Sequence, residues 1–281
     1  MKKAWVIIFS LIIGGLLLTS CGPEAKVVKR MNNYIKKGSI AQRDSAAFYF
    51  YNKKNYEKAS FLFEELMSLR RGGPQAANYL YHFAYCKYYQ GYFISASYYF
   101  QQYTQQYPND SKTEECAYMI AYCYYQQSDP FFLDQTYTQK ALDQFQVFIN
   151  IFPGSEKVEE ANELMAKMRE TMAHKNFEQA KLYLKIDNYK AAVEAFLIFL
   201  REYPDSRYRE EAQFLLIQSA LELADASIQS RKRNRYLDTL EFYQKFVDRY
   251  PSSAFIKDAE GFFAKAKREL GKIQAASNSS R

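Results

Sequence analysis

The chain has 281 residues and a net charge of +7, with 26 tyrosines and 22 phenylalanines against ten glycines and seven prolines. So much aromatic surface with so few breakers excludes a disordered or collagen-like chain and suits packed helices. The positive excess is mild and no basic stripe recurs along the repeats, so it does not argue for nucleic acid.

Met1-Lys2-Lys3 leads into an apolar stretch over 4–18, too short for a confident membrane-spanning helix and laid out like a secretory signal peptide. It ends in Leu18-Thr19-Ser20-Cys21-Gly22, which resembles a bacterial lipobox. That resemblance implies removal of residues 1–20 and acylation of Cys21, with palmitate-type chains holding the protein on a bilayer. The competing reading is an uncleaved anchor helix with an incidental cysteine. Residues 21–38 are expected to be a lipidated tether, helical at most near its end.

One pattern then recurs five times: an aromatic (threonine in the third copy), a small residue three later, an aromatic four beyond it and a bulky apolar or aromatic residue three further on. The copies are Tyr56-Ala59-Phe63-Leu66, Phe93-Ala96-Phe100-Tyr103, Thr138-Ala141-Phe145-Phe148, Tyr189-Ala192-Phe196-Phe199 and Tyr236-Thr239-Tyr243-Phe246. Offsets of three, four and seven share one helical face, and the small residue admits a close neighbour. Tyr107-Pro108, Phe152-Pro153, Tyr203-Pro204 and Tyr250-Pro251 close the last four copies, where proline stops a helix. The short polar segments behind those prolines are expected to N-cap the next helix.

The small residues are spaced by 37, 45, 51 and 47. The motif resembles the second helix of a tetratricopeptide repeat, whose minimal period is about 34. Ala47, Ala84 and Ala180 fit the small position of its first helix. Ser128 to Tyr137 reads as a turn-like insertion, and Gln229 to Arg235 as its counterpart in the fifth unit. The expected fold is all-α: a right-handed superhelical solenoid of five helix pairs over 39–271, a capping helix over roughly 253–270, and a disordered tail over 272–281.

Three cysteines remain behind the lipobox: Cys86, Cys116 and Cys123. Cys116 and Cys123 stand about 10 Å apart along one helix, beyond disulfide reach, so buried thiols are expected. His82 and His174 have no metal-ligand spacing to them, and neither a metal nor another cofactor is expected. No phosphate-cradling loop, nucleophile elbow or metal-binding His-Glu pair is present, and an enzyme is not expected.

First helices of such repeats line the concave side. In the second unit the positions facing it are Asn78, Tyr81, Tyr85, Tyr88 and Tyr89; in the third they are Glu115, Tyr118, Tyr122, Tyr125 and Gln126. Tyrosine offers a broad apolar face with a hydroxyl that tolerates water, which suits capture of varied extended peptides. The same rings could instead bury against neighbouring helices. The basic run Arg231, Lys232, Arg233, Arg235 reads as a solvated loop, a contact for an acidic partner, or a headgroup contact.

Lipobox, five extended tetratricopeptide-like units, aromatic-proline stops and the insertion after the third first-helix together resemble the BamD family of outer-membrane β-barrel assembly lipoproteins. The resemblance implies a lipid-anchored protein on the periplasmic face of the outer membrane. Its implied partners are the periplasmic domains of BamA, other lipoproteins of the complex, and unfolded outer-membrane proteins. In that family the N-terminal repeats are thought to meet substrate and the C-terminal repeats BamA. A different tetratricopeptide lipoprotein, an envelope scaffold or carbohydrate-capture partner of a transporter, is the alternative.

Overall fold

The computed structural model describes residues 23–279, and among the described residues there is helix and turn but no strand. The helices are α1 (Pro23–Lys37), α2 (Ile40–Asn52), α3 (Tyr56–Leu69), α4 (Ala76–Tyr89), α5 (Phe93–Gln106) and α6 (Thr113–Gln126). They continue with α7 (Thr136–Ile151), α8 (Val158–Lys185), α9 (Tyr189–Glu202), α10 (Arg209–Asp225), α11 (Gln229–Arg249) and α12 (Ile256–Ser279). From α2 onward they form the five expected tetratricopeptide-like pairs with α12 behind them. Two compact units result: one runs through Ser128 and includes Tyr137–Val158, and the other comprises Asp129–Thr136 and the chain from Glu159 onward.

The repeated motif is the core. Ala59, Ala96, Ala141, Ala192 and Thr239 are completely buried, as are Phe63, Phe100, Phe145 and Phe196. In the first unit Ala46, Ala47 and Phe50 of α2 meet Ala59, Leu62 and Phe63 of α3, and Phe83 of α4 joins them. In the second unit Phe177 of α8 packs on Phe199 of α9 with ring centroids 5.7 Å apart. In both pairs the second helix puts its small residue where the first helix lies close, next to a large ring.

The turns repeat in three of the five units. Five residues before the small residue, Lys54, Gly91 and Asp187 adopt φ of 58°, 79° and 60°. Each ends a first helix as a left-handed C′ residue: the amide of the next residue reaches back to Phe50, Lys87 and Tyr183, at 2.8, 2.9 and 3.0 Å. Asn55 and Asn188 then cap α3 and α9 through their side chains, which accept from the amides of Lys58 and Ala191.

At the other end, the aromatic before each proline donates its amide to the helix behind it, as Tyr107 does to Tyr103 and Tyr203 to Phe199, both at 2.9 Å. Fourteen residues after the small residue stand Asp110, Ser155, Ser206 and Ser253. Their side chains accept from the amide two residues on, at 2.8, 3.1, 3.3 and 3.1 Å. These polar residues thus shape the turn ahead of the helix and are not its N-caps: Lys112 and Tyr208 hold the N-cap positions of α6 and α10 without a side-chain bond.

Three expectations give way to helix. Residues 23–37 are not a loose tether but α1, whose Met31, Tyr34 and Ile35 pack on the first core. The joint to α2 is tight, since a Cβ on Gly38 would sit 2.5 Å from the Tyr34 carbonyl, and Ser39 with Gln42 forms a capping box. Gln229 to Arg235 is not a loop but the opening of α11, because Gln, Lys and Arg are good helix formers and the run contains no breaker. The last helix extends to Ser279, through residues expected to be disordered, for the same reason: no proline or glycine follows Gly271. Cys21 and the signal segment lie outside the described residues.

Candidate functional site

Helices α4 and α6 carry the tyrosines singled out from the sequence, and both lie in the first compact unit. Tyr85 and Tyr118 are buried, at 8% and 5% exposure, whereas Tyr89 is 49% exposed and Tyr81, Tyr88, Tyr122 and Tyr125 are half-buried. The rows are therefore both core and surface: the two buried rings form a floor, and the others stand on it. Tyr85 packs edge-on against Phe100 at 5.0 Å, and Tyr118 against Phe148 at 5.5 Å.

The rings above that floor form a continuous aromatic strip. Tyr56 stacks on Tyr89 at 4.5 Å, Tyr89 meets Tyr88 at 5.3 Å, Tyr88 meets Tyr122 at 6.3 Å, and Tyr122 meets Tyr125 at 5.7 Å. The strip crosses from α4 to α6 at Tyr88 and Tyr122. Tyr51 enters at the edge, 4.8 Å from the His82 ring.

One carboxylate sits in this surface. The hydroxyl of Tyr81 donates to Glu115 Oε2 at 2.9 Å, and that of Tyr85 donates to Oε1. Burial first, then the bond to Glu115, pushes both phenols far above their ordinary pKa, so they remain donors at any physiological pH. Burial also lifts the Tyr88 phenol to about 12. Over the Tyr81 ring lies the Lys112 ammonium, 4.3 Å from the centroid, which donates to Asn78 Oδ1 at 3.1 Å.

His82, behind this surface, donates from Nδ1 to the Asn78 carbonyl at 2.8 Å. Burial lowers its pKa, and Lys112 adds to the effect against the opposing backbone bond, which keeps the imidazole neutral. Asn78 is thus a polar anchor for Lys112. Glu115, a groove-facing position in the sequence reading, ties α4 to α6 by accepting from both Tyr81 and Tyr85. Its place at a groove position was the signal.

The thiols of Cys86, Cys116 and Cys123 are free and buried. Burial raises all three, Cys86 and Cys123 to about 12, so they stay protonated and unreactive. No group of three or more His, Cys, Asp or Glu suited to a metal occurs among the described residues.

In the second unit, the corresponding first-helix residues make no tyrosine strip. His174 is sandwiched between Phe131 of the insertion, at 3.7 Å, and Tyr208, at 4.9 Å. Lys181 pairs with Glu178 and Glu211 at 3.4 and 3.3 Å. Sequence reading missed the clasp of Phe131 on His174, because the aromatic of an insertion has no repeat register to place it.

The basic run divides by helical face. Arg231 and Arg233 are exposed at the start of α11. Arg235 instead turns inward to the Ser227 hydroxyl and the Leu223 carbonyl, closing the end of α10. Lys232 lies near Asp225, which accepts from Tyr236 and Lys265 at 2.6 Å each.

These features define an all-helical scaffold of tetratricopeptide-like pairs with an aromatic face on α4 and α6. The outer membrane lipoprotein family YfiO matches residues 44–231 and 195–276, and the chain belongs to that family, the BamD family its sequence resembles. No curated protein matches the chain. Among solved structures, the TPR2AB domain of yeast Sti1 in its pHSP90 complex is 14% identical, covering 81% of this chain and 98% of that one at a TM-score of 0.37. The yeast histone chaperone Hif1 is 13% identical over 70% of this chain and 94% of its own, at 0.29. The apo form of RapI is 15% identical over 99% and 82%, at 0.31. Scores this low bear on neither fold nor function.

Proposed function

We propose that this protein is a lipid-anchored scaffold of the outer-membrane β-barrel assembly machinery, held by acylated Cys21 on the periplasmic face. Unfolded outer-membrane proteins meet the tyrosine strip of α4 and α6, and the periplasmic domains of BamA meet the C-terminal repeats. The observation that carries this reading is the family match, which spans 44–276 and so takes in the repeat pairs of both units.

Half-exposed rings on a buried aromatic floor support the substrate role. They present fixed apolar faces at little entropic cost, while their hydroxyls satisfy a passing peptide backbone. Within the basic run, Arg231 and Arg233 are the residues disposed to meet an acidic partner, since Arg235 is held inside the second unit.

Affinity purification of the tagged chain from native membranes in mild detergent, followed by mass spectrometry, tests the assignment. BamA is the expected partner, together with an acyl mass on the N-terminal Cys21 peptide. Recovery of a nutrient transporter or a bound glycan in its place contradicts it.

A further inference from the structure

Helix α1 has an apolar side and a basic one, with Val28 exposed outside both sets. Val27, Met31, Tyr34 and Ile35 are half-buried, and the last three pack on the first core. Lys26, Lys29, Arg30, Asn33, Lys36 and Lys37 are all exposed. At 3.6 residues per turn the spacing of this second set places it on about a third of the helix circumference, opposite the apolar set.

The basic side is not neutralised from within. The helix has one acidic side chain, Glu24, and Lys53 of the α2–α3 turn engages it at 3.1 Å. Among the described residues no ion pair takes up any of the five cations. Lys58 adds a hydrogen bond to Asn32 at 2.7 Å, which fastens α1 to α3 without using the basic face. The helix starts at Pro23, two residues after Cys21, and its joint to α2 at Gly38 leaves no room for a side chain.

We propose that the outward face of α1 is a binding surface for anionic phospholipid headgroups, which seats the first unit against the bilayer. The lipid-anchor reading adds only that this face starts next to the membrane; the charge arrangement stands without it. Five cations along about 16 Å of helix complement a phosphate-rich plane. Because the apolar face is already committed to the protein core, the helix cannot roll it into the acyl region. Adsorption is therefore electrostatic and reversible by salt, unlike that of an inserting amphipathic helix.

The test uses the mature chain carrying Cys21→Ser, which retains every described helix and removes any acyl contribution. Co-sedimentation is measured with phosphatidylcholine vesicles with and without phosphatidylglycerol, at low and high salt. The expected result is binding that requires phosphatidylglycerol and vanishes at high salt. At about fivefold per basic side chain near the surface, Lys29→Gln with Arg30→Gln and Lys37→Gln is expected to weaken it roughly a hundredfold. An unchanged melting temperature shows that the triple variant is folded.

Equal binding by variant and parent, or indifference to phosphatidylglycerol, overturns the proposal. So does crosslinking of this face to an envelope protein by a chain that ignores vesicles. Failure of the anchor reading is separate, since it is read from the mass of the native Cys21 peptide.

Discussion

The Tyr81 hydroxyl and the Glu115 carboxylate meet at 2.9 Å, joining the first helices of neighbouring repeats across 34 positions of sequence. Tyr85 donates to the other oxygen of the same carboxylate from a nearly closed site. Glu115→Ala leaves that buried hydroxyl without its acceptor, which costs about 1–3 kcal/mol. Glu115→Gln keeps an acceptor and is expected to cost less. Urea denaturation of the two variants beside the parent checks the order; equal stability for all three means the bond contributes nothing.

The left-handed turn residues give a prediction of opposite sign. Lys54 sits at φ 58° where Gly91 sits at 79° in the next repeat. A left-handed residue with a Cβ carries a strain of about 1–2 kcal/mol, partly offset by the greater unfolded freedom of glycine. Lys54→Gly is therefore expected to stabilise the chain by about 0.5–1 kcal/mol, and Gly91→Ala to destabilise it by a similar amount. Thermal melts of the pair decide the matter, and a fall in melting temperature for Lys54→Gly counts against it.

The repeat arithmetic carried most of the fold because it rests on short-range geometry. A small residue with rings at plus four and minus three can be buried only on one helical face, and Ala59, Ala96, Ala141, Ala192 and Thr239 all lie there. What sequence reading misjudged lay where two local signals compete. Arg231 to Arg235 is polar enough for a loop yet made of helix formers, and α11 shows the second property winning. For the tyrosine rows, ring exposure depends on which neighbour lies above each ring, and a helical register alone does not contain that. Tyr85 and Tyr89 are four positions apart, but one is floor and the other surface.

Core truncation should be costly at the repeated ring. Phe196 is fully buried among Ala180, Ala192 and Phe177. Phe196→Ala opens a cavity there and is expected to cost about 3–5 kcal/mol. A shift in urea midpoint corresponding to less than about 1 kcal/mol would show that this contact collapses freely.

Acid sensitivity should trace to Asp225. Burial alone would raise its pKa, but the bonds from Lys265 and Tyr236 and the nearby Lys232 charge outweigh it and hold the carboxyl below the usual range. A depressed carboxylate contributes stability that is present above its unfolded pKa of about 3.9 and is lost as pH falls through the folded value. Denaturation profiles across that acid window should show a shallower decline for Asp225→Asn than for the parent. Parallel profiles would remove Asp225 from the explanation.

The tyrosine strip is tested most directly by fluorescence anisotropy with a labelled C-terminal peptide from an outer-membrane barrel protein. Tyr89→Ala with Tyr122→Ala removes two surface rings and leaves the Tyr85 and Tyr118 floor in place. With base affinity measured on the parent and folding verified by circular dichroism, loss of these rings should weaken binding at least about tenfold, as expected for two aromatic contact residues. Unchanged affinity in a folded variant would contradict the assignment of α4 and α6 as the substrate face.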